Sequence, residues 1–426
     1  MRANRISSEP AAELLSRLSS PQKAFSAVHV TGSKGKGSVA TMVTAALLHA
    51  PLFVSTVGTY GSPHVERFNE RIRINGRSIP DDDLANALGQ VLDVREQEPE
   101  VRAATVFDVV CASAMLEFKR IQARWAVIEV GLGGRLDSTN VLDAPVAVIT
   151  NVHLEHKEII GPTRKDIAYE KAGIIAPGAH VVCGMSRGHE LANIFVQEAA
   201  SKSPPATIQF CAPEAGHSLF EHNLMLSRAA VQAVARREGV AGMADNDLLP
   251  KSLAEEAMSN LPARQEMFTV ASGAGETDTP VRVLLDGAHV PESVEMVLRE
   301  SSSGRPRVIL YGSGVDKDVE AIGQLLHDAR PLHVVATAAG VSETYMPADD
   351  LAERIRKTGN TPVTAVGDAD EALQAAIDLA NSLGADLAIL GSLHIAGRVR
   401  PSLRARQDHF RSNQQKPRFS PDARQQ

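Results

Sequence analysis

Apolar and polar positions alternate along this chain in blocks rather than residue by residue. Short, nearly continuous apolar runs rich in β-branched residues are separated by longer segments with apolar residues at helical spacing. The runs that predict buried parallel strands are Val28–Thr31, Trp125–Val130, Val146–Thr150, Val281–Leu285, Val308–Tyr311, Leu332–Ala336 and Leu387–Leu390. The segments that predict helices include Val39–Ala50, Pro80–Gln97, Phe107–Arg120, Ala229–Arg237 and Ala369–Leu383. This alternation predicts an α/β fold whose helices cover mainly parallel sheets.

A stretch of small, polar and proline residues at Ser259–Gln265 interrupts this pattern, and strands and helices alternate again after it. A chain of 426 residues also exceeds what one hydrophobic core usually organises. We therefore expect an N-terminal domain over residues 1–261 and a smaller α/β domain over residues 262–408. The arginine-rich, apolar-poor end, residues 409–426, is expected to be a disordered tail.

Charge and composition exclude several classes of protein. The net charge is −7 with acidic and basic residues mixed along most of the chain, which does not favour a nucleic-acid partner. The three cysteines are widely spaced and form no CxxC pair, so they indicate neither a disulfide framework nor a zinc site. Neither a signal peptide nor an apolar run of about 18 residues is recognisable. We expect a cytoplasmic monomer without a membrane partner.

The first strand leads into a glycine-dense turn built around a lysine. Such a turn between a strand and a helix is typical of a loop that binds phosphates with its backbone N–H groups. It departs from the common Gly-x4-Gly-Lys-Ser/Thr pattern, because Val30 replaces the first glycine and Gly37 the final Ser/Thr. A surface turn is the alternative interpretation. The predicted nucleotide-binding residues are Gly32, Ser33, Lys34, Gly35, Lys36, Gly37 and Ser38.

Polar residues at strand ends predict a second element of the site. Glu129 interrupts an apolar strand, where a carboxylate needs a metal or a cation as partner unless it lies at the exposed strand end. Both interpretations place it near a ligand, because ligands collect at the carboxyl edge of such sheets. With the hydroxyl of Ser62 and with His156, which follows a later strand, Glu129 forms a candidate Mg²⁺ site.

Further polar residues follow other predicted strands and helices. Arg135 and Asp137 lie in a second glycine-rich stretch, Gly131–Asn140. Lys171 lies near the end of an amphipathic helix, where a solvated lysine is the alternative interpretation. In the second domain, Asp286 and His289 follow a strand.

Several separated motifs together resemble the folylpolyglutamate synthase and dihydrofolate synthase family, within the ATP-dependent ligases that include the Mur enzymes. They are Thr-Gly-Ser-Lys-Gly-Lys-Gly-Ser from Thr31, Ser-Pro-His from Ser62, Asn-Glu-Arg-Ile-Arg-Ile-Asn-Gly from Asn69, Glu-Val-Gly-Leu-Gly-Gly-Arg-Leu-Asp-Ser-Thr-Asn from Glu129, Glu-Lys-Ala-Gly-Ile from Glu170 and Asp-Gly-Ala-His from Asp286. The resemblance extends from about His29 to Arg400. The Mur enzymes share the phosphate loop but not the stretch that begins at Glu129, which favours the folate branch.

The resemblance implies an N-terminal P-loop ATPase domain, a C-terminal Rossmann-like domain and an active site between them. It implies that Lys36 and its loop bind ATP, that Ser62, Glu129 and His156 hold Mg²⁺, and that a carbamylated Lys171 ligates a second Mg²⁺. Arg264 and Asp286 would contact the nucleotide, and His289 the reacting groups. The substrate side would be formed by Arg135, Asp137 and Ser138, with Asp137 beside the pterin.

The implied reaction joins L-glutamate to a pteroate or folate through an acyl phosphate. Whether the acceptor is dihydropteroate, tetrahydrofolate or both stays open, with a slight preference for dihydropteroate from the second glycine-rich stretch. Two alternatives remain: a Mur-type ligase that joins an amino acid to a nucleotide-linked sugar acid, and a non-catalytic ATP-binding relative. The second is suggested by Val290, which stands where the family usually has Asn.

Overall fold

The computed structural model of the chain describes residues 7–49, 56–240, 242, 244–271, 280–301, 304–340 and 344–415, with side chains described as far as residue 412. The chain divides into two compact units, Met1–Asn260 and Leu261–Gln426. This division lies next to the predicted boundary between residues 261 and 262. Ala50, the predicted end of one helix, and residues 416–426 of the predicted tail lie outside the described residues.

The described part of the first unit contains a sheet of eight strands. Its strands are β1 (Ser26–Thr31), β2 (Val57–Tyr60), β3 (Ile72–Ile74), β4 (Arg77–Ser78), β5 (Trp125–Glu129), β6 (Val146–Ile149), β7 (His180–Cys183) and β8 (Thr207–Phe210). Their spatial order is β4-β3-β2-β5-β1-β6-β7-β8. Neighbours in the series β2-β5-β1-β6-β7-β8 pair in parallel. Strand β3 pairs antiparallel with both β2 and β4.

Helices cover both faces of this sheet. They are α1 (Glu9–Arg17), α2 (Lys36–His49), α3 (Asp81–Gln97), α4 (Val106–Arg120), α5 (Arg164–Ala172), α6 (Ala192–Ala200), α7 (Leu219–Arg237), α8 (Asp245–Leu248) and α9 (Lys251–Ser259). Val28 and Val30 of β1 pack into a core with α2, α7 and α9. Ala27, on the other face of β1, packs into a core with α1, α3 and α4. This alternation follows from the two-residue period of a strand.

The second unit is built in the same way on a smaller sheet. Its described strands are β9 (Glu266–Val270), β10 (Val281–Leu285), β11 (Arg307–Tyr311), β12 (His333–Ala336), β13 (Val363–Ala365) and β14 (Asp386–Leu390), in the order β13-β12-β11-β14-β10-β9. Only β9 pairs antiparallel within this described sheet. Its described helices are α10 (Pro291–Glu300), α11 (Val319–Asp328), α12 (Ala348–Arg356), α13 (Ala369–Ser382) and α14 (Leu393–Gln415). The predicted α/β fold with two domains of this kind is confirmed.

Three segments differ from their predicted structure. Val57–Tyr60 is the strand β2, although glycine, serine and proline between Gly58 and Val65 are typical of an irregular loop. Gly58 is required there because a Cβ at this position would overlap the Phe118 ring of α4. Helix α7 begins at Leu219, ten residues before its predicted start, because Ser218 caps it by accepting a hydrogen bond from the Glu221 amide. Helix α14 continues to Gln415, so residues 409–415 are helical and not part of a disordered tail.

Candidate active site

The phosphate loop, Gly32–Gly35, connects the end of β1 to the start of α2. Gly32 and Gly35 have φ values of +147° and +84°, which side chains with a Cβ rarely adopt. The Lys36 ammonium donates to the Gly32 carbonyl at 2.9 Å, across the mouth of the loop. The predicted strand, glycine turn and helix are therefore present, with the lysine folded over the turn.

Two residues that the sequence did not single out hold this loop in place. The Asn151 side chain accepts a hydrogen bond from the Lys34 amide at 2.9 Å and donates one to the Lys34 carbonyl at 3.0 Å. Thr150 donates to the same carbonyl at 2.5 Å. Because both residues follow β6, the loop is fastened to the neighbouring strand by its backbone. The remaining predicted loop residues are close by: the Ser33 hydroxyl accepts from the His153 amide at 2.9 Å, and Ser38 is buried in the first turn of α2.

Glu129 lies at the end of β5, against the start of α2. Its side chain is only 7% exposed, and a Cβ on Gly37 would lie 3.5 Å from its Oε2 atom. The same Oε2 atom accepts a hydrogen bond from the Ser62 amide at 3.4 Å. Strand order explains the meeting, since β5 lies between β1 and β2 and all three end at the same edge. The structure thus brings Glu129, Ser62 and the phosphate loop together.

His156, the third predicted metal ligand, follows β6 at an exposed position with φ of +46°. Within the described ranges, no group of three or more His, Cys, Asp and Glu side chains is arranged to hold a metal ion. The two candidates that do lie together are Glu129 and Ser62. Their carboxylate and hydroxyl are hard oxygen donors of the kind Mg²⁺ takes together with substrate phosphates. The residues at this edge therefore fit a magnesium–nucleotide complex.

Lys171 is buried near the end of α5, with only 1% of its surface exposed. Its ammonium forms an ion pair with Glu155 at 2.8 Å. Burial lowers the pKa of Lys171 to about 8, and the nearby positive charge of Lys36 adds to the shift although Glu155 opposes it. Burial of Glu155 favours its neutral form, but attraction by Lys171 and Lys36 outweighs this and holds the Glu155 pKa below its usual value. Lys36, Glu155 and Lys171 thus form one charged group beside the phosphate loop.

Asp137 closes the second glycine loop, Gly131–Asn140, on itself. Its Oδ2 atom accepts from the Leu132 amide at 2.8 Å, and its Oδ1 atom accepts from the Thr139 amide at 3.0 Å and the Thr139 hydroxyl at 2.5 Å. Burial raises the pKa of Asp137, and these hydrogen bonds oppose the shift. A Cβ on Gly131 would lie 3.2 Å from Asp137 Oδ2 and 3.8 Å from the Ser62 hydroxyl. The loop therefore borders the Ser62–Glu129 edge.

The other two predicted substrate residues of this loop have partners within the chain. Arg135 forms an ion pair with Glu198 of α6 at 2.7 Å and lies over the Tyr169 ring, 4.0 Å from its centroid. Ser138 donates to Asp108 of α4 at 2.6 Å. Both side chains anchor the loop to helices, so in this structure they support the loop.

The second unit gathers its own predicted residues after β10. Asp286 accepts from the Gln265 amide at 2.7 Å and from the Ala288 amide at 2.8 Å. The Arg264 guanidinium lies 3.1 Å from the position of a Cβ on Gly287, and His289 Nδ1 is 2.8 Å from the Gly287 carbonyl oxygen. Arg264, Asp286 and His289 thus lie together within this unit.

Ala263 and Val290 flank these residues in the sequence. Ala263 has φ of +50°, a conformation that glycine adopts more readily. Val290 precedes α10 and has no polar side chain to cap it, but its amide donates to the Ser293 hydroxyl at 3.3 Å.

Asn223 of α7 also contacts the phosphate loop. Its side chain is buried, and its Oδ1 atom has no hydrogen-bond partner within the described residues. A Cβ on Gly35 would overlap this oxygen, so the two residues are in close contact. The signal in the sequence is the polar pair His222-Asn223, which comes just before the apolar residues 224–226 of this helix.

Comparison with known proteins identifies the family. Residues 30–210 match the Mur ligase middle domain, and residues 268–393 match the Mur ligase, glutamate ligase domain. The folylpolyglutamate synthase of Lacticaseibacillus casei is 32% identical over 340 residues, which cover 74% of this chain and 77% of the relative. The chain belongs to the folylpolyglutamate synthase and dihydrofolate synthase family.

Two further comparisons support this family assignment. The dihydrofolate synthase/folylpolyglutamate synthase of Bacillus subtilis is 36% identical over 197 residues, which cover 45% of each chain. The structure of Mycobacterium tuberculosis folylpolyglutamate synthase superimposes with a TM-score of 0.77 at 26% identity, and covers 94% of this chain and 96% of that one. The predicted family and its enzyme class, an ATP-dependent carboxylate–amine ligase, are confirmed. None of the described helices of this family member is both long and apolar enough to cross a membrane.

Proposed function

We propose that this chain joins L-glutamate to the carboxylate of a pteroate or folate at the expense of ATP. The observation that carries the proposal is the meeting of Lys36, Glu129 and Ser62 at one edge of the first sheet. This edge can hold a triphosphate and its cation. A relative named folylpolyglutamate synthase is 32% identical, and a 26% identical neighbour was solved with ADP and AMPPCP.

The reaction proceeds in two steps. The acceptor carboxylate attacks the γ-phosphate of ATP, which breaks the bond to the β-phosphate oxygen and gives an acyl phosphate and ADP. The amine of glutamate then attacks the acyl carbon, releases phosphate and a proton, and leaves an amide. Lys36 and the loop amides orient the phosphates and offset the charge on the transferred group.

We propose Mg²⁺ as the cation of this site, held by Glu129 and Ser62 with His156 as a further ligand. When bound, it would neutralise phosphate charge. We further propose that Lys171 is carbamylated and holds a second Mg²⁺. Its burial and its pKa of about 8 support this, because a neutral amine is the form that reacts with CO₂. The change requires Glu155 to exchange its present ion pair for another partner.

The acceptor is proposed to lie along the second glycine loop, with its pterin beside Asp137. The exposed Phe107 ring at the start of α4 supports this, since its face offers stacking area to a flat heterocycle. The Arg71 guanidinium lies 5.6 Å from the centroid of the same ring. Arg264 and Asp286 are proposed to contact the nucleotide, and His289 the reacting groups.

An ADP-release assay with L-glutamate tests the function. Activity with dihydropteroate alone identifies a dihydrofolate synthase, with tetrahydrofolate alone a polyglutamate-extending enzyme, and with both a bifunctional one. ADP release with a nucleotide-linked muramyl acid, and none with pteroates, would support the Mur-type alternative. ATP binding without ADP release for any acceptor would overturn the proposal in favour of a non-catalytic relative.

A further inference from the structure

A buried hydrogen-bond chain connects β1 to the second glycine loop. His29 and Thr31 lie two residues apart on one face of β1, and both are 0% exposed. His29 Nε2 is 2.9 Å from the Thr139 hydroxyl oxygen, and the Thr31 hydroxyl donates to the Gly133 carbonyl at 2.7 Å. The strand that leads into the phosphate loop is therefore also tied to the loop that closes on Asp137.

Which atoms donate in this hydrogen-bond chain follows from the bond at Asp137. The Thr139 hydroxyl donates its only proton to Asp137 Oδ1 at 2.5 Å. His29 Nε2 must therefore donate to Thr139, which fixes the ring as the Nε2–H tautomer. Burial lowers the pKa of His29 to about 3, so the ring stays neutral at physiological pH. Its Nδ1 atom has no hydrogen-bond partner within the described residues.

A neutral, buried histidine with one unpaired nitrogen is costly for a strand that could hold an apolar residue. In return, the hydrogen-bond chain fixes Asp137. There the Thr139 hydroxyl fixes Oδ1, while Oδ2 accepts from Leu132 on the side that borders Gly131 and Ser62. The orientation of this carboxylate sets the shape of the loop.

We infer that His29 and Thr139 are positioning residues for acceptor binding. They act through Asp137 and hold the second glycine loop in the shape that receives the heterocycle of the acceptor. The inference rests on the proposed function, because it takes the acceptor to lie along this loop. Nucleotide binding is independent of this hydrogen-bond chain, since the phosphate loop is held separately by Thr150 and Asn151.

The test compares Thr139→Val, which keeps the shape and removes the hydroxyl, with Thr139→Ser, which keeps the hydroxyl. Loss of a hydrogen bond to a charged group is expected to raise KM for the pteroate acceptor about tenfold or more, with KM for ATP within about twofold of wild type. Thr139→Ser is expected to restore acceptor KM to within about threefold. His29→Leu should raise acceptor KM about as much as Thr139→Val does. The double variant should raise it little further, because both substitutions interrupt the same hydrogen-bond chain.

Thr59→Val is the matched control. It removes a buried hydroxyl from β2, where the Thr59 hydroxyl oxygen lies 2.8 Å from the hydroxyl oxygen of Thr44 in α2, and leaves the Asp137 hydrogen bonds intact. This variant should keep the wild-type acceptor KM. If Thr59→Val raised acceptor KM as much as Thr139→Val does, or if Thr139→Ser raised it as much as Thr139→Val, the hydrogen bonds would serve only general packing. Either result would overturn the inference.

A spectroscopic measurement on the wild-type protein covers the case in which Thr139→Val does not fold. The ¹⁵N signals of the His29 ring should report a neutral Nε2–H tautomer unchanged between pH 5 and pH 9, and an Nδ1–H tautomer would overturn the inference. A wild-type protein without activity on any pteroate or folate acceptor would refute the proposed function itself. An active wild type whose Thr139→Val variant keeps its acceptor KM would refute only the positioning role.

Discussion

Burial acts on the charged residues of this site in opposite directions, and their partners decide the outcome. Burial lowers the pKa of Lys171 and raises the pKa of Asp137, because in both cases it disfavours the charged form. Glu155 is pulled the other way, since the two lysines beside it stabilise its charge. Perturbed groups of this kind cluster at functional sites. Here Lys171 and Glu155 lie beside the phosphate loop, and Asp137 lies beside the Ser62–Glu129 edge.

Replacement of Lys36 by alanine should lower kcat/KM for ATP by at least about 10²-fold, because the phosphates lose their pre-oriented cation. The fold should survive, since the hydrogen bond that the Lys36 ammonium makes is to the Gly32 carbonyl of its own loop. Steady-state ADP release and far-UV circular dichroism measure the two effects. Lys34→Ala is the control within the same loop, because Lys34 is fastened by its backbone atoms, and it should lose much less activity. A fully active Lys36→Ala would refute the phosphate-loop assignment.

Carbamylation of Lys171 should be visible directly. With ¹³C-bicarbonate, the protein is expected to show a carbamate carbon signal that grows as the pH rises through about 8, because only the neutral amine reacts. Lys171→Met should lack the signal and the activity. Lys165, an exposed lysine of the same helix, is the control, and Lys165→Met should retain both. A signal equal in wild type and Lys171→Met would place the carbamate elsewhere.

At the scale of elements, one carboxylate joins a helix to the second glycine loop. Asp108 accepts from the Thr105 amide at 2.7 Å and so completes the capping box of α4. It also accepts from the Ser138 hydroxyl of the loop at 2.6 Å. The N-terminus of α4 and the loop are therefore held by the same side chain.

Thr105→Ala should lower the free energy of unfolding by about 1 kcal/mol, which is typical of a lost N-cap, and leave acceptor KM unchanged. Asp108→Ala should lower it further and also raise acceptor KM, because the loop loses its hold on the helix. Urea unfolding and steady-state kinetics measure the two quantities. Equal effects of the two variants on acceptor KM would show that Asp108 acts on the helix alone.

At the scale of the whole molecule, each unit has its own sheet and its own core, and each gathers its polar residues where parallel strands end. In the first sheet β2, β5, β1 and β6 are neighbours, so residues that follow them in sequence meet at one edge. The same rule collects Asp286 and His289 after β10 in the second sheet. Function in this fold depends on strand order as much as on residue type.

Nucleotide binding should stabilise the protein by mass action. A non-hydrolysable ATP analogue with Mg²⁺ at about 100 times its Kd should add about 2.7 kcal/mol to the free energy of unfolding. The midpoint of urea unfolding, followed with and without the analogue, measures the change. Lys36→Ala should lose most of the increase at the same analogue concentration. An unchanged wild-type midpoint would exclude specific nucleotide binding.

Much of the fold could be predicted because its signals are local. The apolar run Trp125–Val130 differs from the observed β5 by one residue, and Val281–Leu285 is the observed β10. Strands β2 and β8 are two of the strands that were not predicted. They are short and lie among glycine, serine and proline, where propensity is weak and pairing with neighbours decides the structure. The late start predicted for α7 overlooked the capping signal of Ser218 and Glu221.

The sequence by itself determined the strand and helix periods, the glycine turn around Lys36 and the placement of polar residues after strands, because neighbours along the chain encode these features. Only the tertiary structure decided the partners. His29 and Thr139 are 110 residues apart, and the Lys34 amide and the Asn151 side chain 117. Such pairs form because strands distant in sequence become neighbours in the sheet, and no local pattern specifies which side chains then meet.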